Sequence, residues 1–252
     1  MISLRDVSFS YGACKALDHI SFTIERGEHL AIIGPNASGK TTLAMIMNSL
    51  LTPAEGNCLV DGVNTKNDPM FARKTVGMVF QDPESQTVAR HVWDDVAFGP
   101  QNLGLPDEEI KRRVSESLAR VGLDGRAGIG VSCLSGGQKQ LLAIAGVLAM
   151  RPSYTILDEP TALLDGPGCR MVRDAVRGLK KSGIGVIIIT HDMEEALLAG
   201  RIVALHEGRL VADMPPARLF SDEGLMARIG IRPPYTYQLA KYTGAIPVEA
   251  AR

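Results

Sequence analysis

The sequence has few cysteines, few histidines and few aromatic residues, and each shortage argues against a class of protein. The four cysteines lie far apart and none forms a C-x-x-C pair, so we expect reduced thiols rather than a disulfide framework. The five histidines lack the spacing of metal ligands. Aromatic residues make up 5% of the chain, too few for the platforms on which nucleic-acid bases stack.

The chain also lacks an excess of charge and a long apolar run. With 27 Lys+Arg and 28 Asp+Glu the net charge is −1, so we expect no basic surface and no nucleic-acid partner. No apolar run approaches the roughly 20 residues that cross a bilayer, and the first residues do not resemble a signal peptide. A membrane-spanning part would have to come from another protein. The 252 residues suit one large domain or a domain with a subdomain.

A phosphate-binding motif is the most specific feature present. Residues 34–42, GPNASGKTT, match G-x-x-x-x-G-K-[ST] at every required position. The apolar run before them predicts a buried strand, and the residues after them predict a helix. Glycines let consecutive N–H groups point at an anion, and the helix N-terminus adds its positive dipole end. Lys40 supplies a charge for the outer phosphates and the Thr41 hydroxyl suits Mg²⁺, so the motif predicts a nucleoside triphosphate site.

Alternating strand and helix patterns predict an α/β fold whose parallel sheet is covered on both faces. Residues 2–11 and 16–24 alternate apolar and polar side chains, so we expect two strands that pair antiparallel next to the nucleotide strand. Further strands are expected at 58–62, 76–80, 154–158, 186–190, 202–205 and 209–212, with helices near 168–181 and 193–199.

Helical patterning dominates the middle of the chain. A helix is expected at 107–121 with one apolar face, and another from Ser135, its N-cap, to Met150. The apolar face of the first helix consists of Ile110, Val114, Leu118 and Val121. We therefore expect a single domain over 1–252. Its expected parts are a core of 1–81 and 151–214, a helical subdomain of 82–150 and a segment of short helices at 215–252.

A second glycine motif begins one of these helices. Leu134 to Gln138 reads LSGGQ, which makes a second anion-binding helix N-terminus. One nucleotide does not need two such termini from one chain, so the motif indicates that another copy donates one of them.

Two strand ends carry polar side chains. Residues 154–160, YTILDEP, place Asp158 and Glu159 at the carboxyl edge of the sheet, where α/β proteins bind ligands. Asp158 suits Mg²⁺, and Glu159 suits a base that activates or orients water. His191 follows the apolar run 187–190 at the same edge.

Taken in this order, the motifs resemble those of an ATP-binding cassette (ABC) ATPase over nearly the whole chain. The resemblance implies the P-loop NTPase fold of that family, with a parallel core sheet, an antiparallel β subdomain and a helical subdomain, and it implies ATP and Mg²⁺ as ligands. The resemblance implies catalytic roles for Glu159, His191 and Gln81. It also implies that Thr41, Gln81 and Asp158 contact Mg²⁺. The implied ATP contacts are Tyr11 (stacking on adenine), Asn36, Ala37, Ser38, Gly39, Lys40, Thr41, Thr42, Ser135, Gly136, Gly137, Gln138 and Asp165.

Three positions depart from the family pattern. Ala37 stands where glycine or serine is commoner, and Leu141 stands where many members have arginine. Gly166 precedes Pro167-Gly168, where Pro-x-Gly after the aspartate is commoner. None of these departures changes a side chain that binds phosphate or metal.

A finer resemblance lies in residues 81–88, QDPESQTV, and 92–105, VWDDVAFGPQNLGL. They are similar to the ATPase of energy-coupling factor importers, which take up vitamins, cobalt or nickel. This implies a second ABC ATPase facing the first head to tail, a transmembrane coupling protein, a membrane substrate-capture protein and a peripheral place on the cytoplasmic face of the membrane. Alternatives are the ATPase of an ordinary ABC importer with a separate binding protein, a soluble ABC protein acting on ribosomes or DNA, and a membrane-independent regulatory ATPase.

The segment Gln81–Gln86 is expected to be exposed and to contact the membrane partner. Pro83 prevents a continuous helix there. Glu84 is expected to offer its charge to basic helix ends of that partner.

Overall fold

The computed structural model describes residues 1–179 and 182–243. It divides into two compact units, Met1–Ala72 with Ile187–Arg252, and Arg73–Val186. The predicted subdomain limits at 82, 150 and 215 stay a prediction.

The strands are β1 Ile2–Tyr11, β2 Cys14–Ile24, β3 His29–Ile33, β4 Glu55–Val60, β5 Val63–Asn64, β6 Val76–Val79, β7 Tyr154–Asp158, β8 Gly185–Ile189, β9 Arg201–His206 and β10 Arg209–Met214. The helices are α1 Lys40–Met47, α2 Pro69–Thr75, α3 Val92–Asn102, α4 Asp107–Arg120, α5 Gly136–Ala149, α6 Gly166–Leu179, α7 Met193–Ala196, α8 Pro216–Ser221, α9 Glu223–Arg228 and α10 Tyr235–Thr243.

The N-terminal strands form a sheet of their own. Its order is β2-β1-β4-β5, and β1 pairs antiparallel with both β2 and β4. The antiparallel pairing of β1 and β2 is confirmed, but their expected place next to the nucleotide strand is wrong, because β3 belongs to another sheet. Local alternation cannot reveal this, since the second neighbour of β1 lies far along the chain, with Ile2 paired to Val60.

The predicted strand at 58–62 ends at Val60. Asp61 and Gly62 instead form the two-residue turn between β4 and β5, with φ of 47° and 85°. An Asp-Gly pair favours this hairpin turn because both positions need positive φ.

The sheet that carries the phosphate motif is parallel where β3 lies. In the first unit β9 runs parallel to β3, with Leu30↔Arg201, and β10 closes this edge antiparallel to β9. The N–H of Thr190, just after β8, donates to Ile32 O at 3.2 Å. The carboxyl ends of β3 and β8 therefore meet, and the residues that follow these two strands lie side by side.

The C-terminal helices complete an apolar core in the first unit. Met193, Ala196 and Ala199, in and after α7, pack in one buried cluster with residues of α8 and α9. The buried members from those helices are Leu219, Phe220, Leu225 and Met226, followed by Ile229. The helix α7 therefore packs against α8 and α9.

The second unit contains helices around a parallel strand pair. The strands β6 and β7 pair from Val76↔Tyr154 to Val79↔Leu157. The apolar face predicted for 107–121 is confirmed, because Ile110, Val114, Leu118 and Val121 are all buried. A Cβ on Gly77 would lie 2.3 Å from a Val147 methyl, so α5 packs on β6 at a distance that only glycine allows.

Within the described part of the chain, no helix is long and apolar enough to cross a membrane.

Candidate functional site

The phosphate motif forms a tight loop between β3 and α1. Gly34 and Gly39 have φ of 154° and 97°. A Cβ on Gly34 would lie 2.2 Å from Leu205 O, and one on Gly39 would lie 2.4 Å from Ala16 O. Both glycines are therefore required by close backbone approach as well as by conformation. The helix α1 begins directly after Gly39, its N-cap, so its first N–H groups open toward the loop.

Two polar side chains of this loop are buried within it. Lys40 is 6% exposed, and its ammonium donates to Gly34 O and Pro35 O, each at 2.9 Å. Ser38 is 2% exposed, and among the described residues its hydroxyl oxygen has no hydrogen-bond partner. A buried unpartnered hydroxyl on a glycine loop fits a bound anion, because it costs free energy until a ligand takes its hydrogen bond, and the buried ammonium beside it adds a favourable charge.

The other residues expected at the nucleotide differ in exposure. Asn36, Ala37 and Thr41 are exposed, and Thr42 is buried. Ala37 has a φ of 62°, the left-handed region that residues with a Cβ rarely adopt. Tyr11 ends β1 and is 52% exposed, with its ring packed edge-on against Phe9 at 4.9 Å between centroids. Its exposure suits a ring that stacks on a ligand.

The LSGGQ segment is a capped helix start, as predicted from Ser135. The Ser135 hydroxyl accepts the Gln138 N–H at 3.3 Å, and the Gln138 side chain accepts the Ser135 N–H at 3.0 Å, which completes a capping box. A Cβ on Gly137 would lie 2.7 Å from the Cα of Gly168 in α6. Ser135, Gly137 and Gln138 thus have local structural roles in addition to any ligand contact.

The ends of β6 and β7 bring two of the expected catalytic residues together. The Gln81 side-chain amide donates to Glu159 Oε2 at 3.2 Å. Asp158, the last residue of β7, is 4% exposed, and Glu159 follows it with a φ of 46°. The φ of Glu159 lies in the left-handed region that residues with a Cβ rarely adopt. Asp165 lies further along, where its carboxylate caps α6 by accepting the Gly168 N–H at 2.8 Å.

The segment after Gln81 is fixed by a side chain that sequence reasoning did not single out. The Gln86 amide accepts the Phe80 N–H at 3.0 Å and donates to Phe80 O and Asp82 O, each at 3.1 Å. Gln81, Glu84 and Ser85 are exposed, as predicted. The Glu84 carboxylate forms an ion pair at 2.5 Å with Lys139 of α5, and its side chain is 70% exposed. The expectation that Glu84 offers its charge to basic helix ends of the partner stays a prediction.

His191 lies at the apex of a turn between β8 and α7. Its neighbours are fixed by the Thr190 hydroxyl, which accepts the Asp192 N–H at 2.9 Å and donates to the Glu195 carboxylate at 2.8 Å. Asp192 caps α7 through the Glu194 N–H at 2.8 Å. His191 itself is exposed. Because the Thr190 N–H bonds Ile32 O, this turn lies beside the end of β3.

The residues present fit a magnesium nucleotide. Over residues 1–179 and 182–243 no group of three or more His, Cys, Asp or Glu side chains is arranged to hold a metal. Mg²⁺ does not need such a group, since it keeps several waters and binds through one or two protein oxygens together with substrate phosphates. The Thr41 hydroxyl on the first turn of α1 and the Asp158 carboxylate are oxygens of that kind.

Comparison with known proteins agrees with this geometry. The family model described as ABC transporter matches residues 17–162, more than half of the chain. The chain belongs to the ABC transporter family. As an ABC transporter ATPase it couples ATP hydrolysis to transport, and the predicted α/β class, with parallel and antiparallel sheets plus helices, is confirmed.

Relatives narrow the type of ABC ATPase. The energy-coupling factor transporter ATP-binding protein EcfA1 of Clostridium novyi is 44% identical over 248 residues, covering 95% of this chain and 89% of the relative. The structure of cbiO1 from Clostridium perfringens, part of the ABC transporter complex cbiONQ, matches with a TM-score of 0.82 at 35% identity, over 95% of this chain and 98% of that one. This similarity confirms the predicted energy-coupling factor type.

A third match shows the nucleotide state of a more distant cassette. The ATP-binding cassette MJ0796, solved as a dimer in a post-hydrolysis state with ADP and Pi, has a TM-score of 0.75 at 28% identity, over 85% of this chain and 98% of that one. Nucleotide binding is thus expected for the fold, and dimers occur within it.

Sequence reasoning missed Glu195 and Lys139. It named the segments that contain Thr190 and Gln86 but gave no role to these two side chains, because nothing local marks their hydrogen bonds. Glu84 and Lys139 are 55 residues apart, so their pairing has no local signal. Glu195 is 2% exposed, and only the tertiary structure shows that this acid is buried.

Proposed function

We propose that the chain binds and hydrolyses ATP to energise an importer of the energy-coupling factor type, for a vitamin or a transition metal. The observation that carries the proposal is the glycine loop with buried Lys40 and Ser38, a preformed cradle for phosphates. Lys40, Thr41 and Thr42 would bind the phosphates with the N–H groups from Asn36 to Gly39, and Tyr11 would stack on adenine. Thr41, Gln81 and Asp158 would hold Mg²⁺, which when bound neutralises phosphate charge.

Catalysis is assigned to Glu159, His191 and Gln81. Glu159 acts as the base that takes a proton from water or orients it, and the Gln81 amide, 3.2 Å away, holds its carboxylate in place. His191 donates a hydrogen bond to the outer phosphate from the apex of its turn. The residues from Ser135 to Gln138, with Asp165, would complete the site of a second cassette placed head to tail.

The proposed assembly follows from the two parts of the nucleotide site, the phosphate loop and the LSGGQ segment, each called a half-site. We infer that the chain pairs with a second ABC ATPase and docks on a transmembrane coupling protein that works with a membrane substrate-capture protein, at the cytoplasmic face of the membrane. No nucleic acid takes part. The helical subdomain, 82–150, would carry the LSGGQ motif. The nucleotide core would consist of 1–81 and 151–214, and the short terminal helices would belong to 215–252.

Docking of the coupling protein is assigned to the surface around Gln81–Gln86. Here a groove of about 630 Å³ is lined by Glu84, Arg90, His91 and Lys139 among others. Glu84 is paired with Lys139 through one carboxylate oxygen and is 70% exposed, so its carboxylate can also accept a basic side chain of the partner.

The test is Glu159→Gln. The amide keeps the shape and the contact with Gln81 but cannot take a proton, so ATP should bind with wild-type affinity while hydrolysis slows roughly 10²–10⁴-fold. ATP binding is measured by titration calorimetry and turnover by phosphate release.

Glu108→Gln on α4 is the matched control, because it removes a carboxylate that is 86% exposed and should change neither quantity. Wild-type turnover by Glu159→Gln would remove Glu159 from the role of base.

A further inference from the structure

A buried acid lies directly behind the turn that presents His191. Glu195 is 2% exposed and Thr190 is also 2% exposed, and the hydroxyl of Thr190 donates to Glu195 Oε2 at 2.8 Å. The same hydroxyl oxygen accepts the N–H of Asp192 at 2.9 Å. The residues on both sides of His191 are therefore joined through one hydroxyl group.

The two hydrogen bonds of the Thr190 hydroxyl have different directions. The hydroxyl donates its proton to Glu195 Oε2, which leaves a lone pair to accept the Asp192 N–H. Glu195 thus orients a hydroxyl that in turn holds the backbone at Asp192.

Packing alone does not call for an acid here. The helix α7 already contributes Met193 and Ala196 to the apolar core against α8 and α9. Burying a carboxyl group costs free energy that an apolar side chain of similar size would avoid. The hydrogen bond from Thr190 gives the acid a contact with the turn, beyond the helix to which it belongs.

The turn is placed where precision matters. The Thr190 N–H bonds Ile32 O at 3.2 Å, and Ile32 lies two residues before Gly34 of the phosphate loop. A side chain that must meet a reacting phosphate loses much of its effect when displaced by about 1 Å.

We propose that Glu195, through the Thr190 hydroxyl, is a positioning residue for His191 in ATP hydrolysis. The proposal rests on the proposed function, because it takes His191 to act on the nucleotide. Neither Glu195 nor Thr190 needs to touch the nucleotide for this role.

Thr190→Val is the main variant, because it keeps the shape and removes only the hydroxyl. We expect kcat to fall about 10-fold while KM for ATP stays within about 2-fold, since positioning acts on the transition state rather than on binding. Thr190→Ser restores the hydroxyl and should recover kcat to within about 3-fold of wild type. Thr155→Val is the matched control, because Thr155 is fully buried in β7 and its hydroxyl has no hydrogen-bond partner among the described residues.

A double-mutant cycle separates positioning from general damage. In a His191→Ala background Thr190→Val should lower kcat less than about 2-fold further, because the group it positions is gone, whereas independent damage would lower kcat by the full factor again. The full factor would overturn the proposal.

The remaining outcomes also decide. If His191→Ala hydrolyses ATP at the wild-type rate, the role of His191 in the proposed function is wrong. If His191→Ala is slow but Thr190→Val is as fast as wild type, the proposed function stands and the positioning role is wrong. Should Thr190→Val fail to fold, Glu195→Leu takes its place, because an apolar side chain of similar size cannot accept the hydrogen bond of the Thr190 hydroxyl. Lower kcat at an unchanged or higher melting temperature then supports positioning, and wild-type kcat overturns it.

Discussion

Ala37 carries a backbone conformation that is unfavourable for any residue with a Cβ. Its φ of 62° lies in the phosphate loop, where the family more often has glycine or serine. A left-handed conformation costs an L-residue roughly 1–2 kcal/mol, and glycine avoids that cost. The departure noted in the sequence therefore has a physical consequence, which is strain stored beside the expected phosphates.

Ala37→Gly should stabilise the protein. The relief of the left-handed strain is partly offset by the greater freedom of glycine in the unfolded chain, so the net gain in the free energy of unfolding is about 0.5–1 kcal/mol. Denaturant titration measures it. The matched control is Ala143→Gly in the middle of α5, which should lose about 1 kcal/mol. A loss of similar size at both positions would show that position 37 is not strained.

At the scale of elements, the hairpin β4–β5 is tied to the β2–β3 connection by an ion pair. Asp61, in the turn, accepts hydrogen bonds from Arg26 at 2.6 and 3.2 Å, and it also pairs with the N-terminal ammonium of Met1 at 2.5 Å. The bonds from Arg26, and then those from the N-terminus, lower the pKa of Asp61 to about 2 from its ordinary value of 3.8. Asp61 thus releases its proton more readily in the folded state than in the unfolded state. Its stabilising contribution is present above about pH 4 and is lost as the pH falls through about 2.

Asp61→Asn should lower the free energy of unfolding near neutral pH. Asparagine tolerates the positive φ of 47° at this position, so the change isolates the charge. The difference from wild type should shrink as the pH falls below about 4. Urea titrations across this range measure it, with Asp174→Asn on α6 as the control, because that carboxylate is 71% exposed. A difference independent of pH would rule out the ion pair as its cause.

The elements differ in how well the sequence predicts them. The sequence predicts α4 because apolar residues recur every three to four positions along it and at its C-terminal end. These residues, Ile110, Val114, Leu118 and Val121, are all buried. The helix α2 at Pro69–Thr75 has no counterpart among the predictions, since seven residues with one buried alanine show no periodic face. The phosphate loop can be predicted from the sequence because glycine, lysine and threonine are each needed at fixed spacing. The pairs Glu84–Lys139 and Thr190–Glu195 cannot be predicted in this way, because tertiary packing brings their members together without a fixed spacing in the sequence.

At the scale of the whole molecule, the phosphate loop and the LSGGQ helix lie in different units of the chain. The phosphate loop belongs to the unit of Met1–Ala72 with Ile187–Arg252, and the capped LSGGQ helix belongs to Arg73–Val186. We propose that each is half of a nucleotide site and that both halves face the complementary halves of one partner chain, so that two sites form when two chains meet head to tail. Such a dimer has two-fold symmetry and closes on itself.

This arrangement predicts how variants behave in mixtures. A chain with both Lys40→Ala and Ser135→Arg has neither half-site, so each wild-type chain paired with it loses both of its sites. At fixed wild-type concentration, an excess of the double variant should therefore drive ATPase activity toward zero. The single variant Lys40→Ala is the control, because its intact LSGGQ helix still serves the phosphate loop of the wild-type chain and activity should persist. Wild-type activity that ignores the double variant, together with activity per chain that stays flat on dilution down to proven monomer, would mean that one chain builds a complete site.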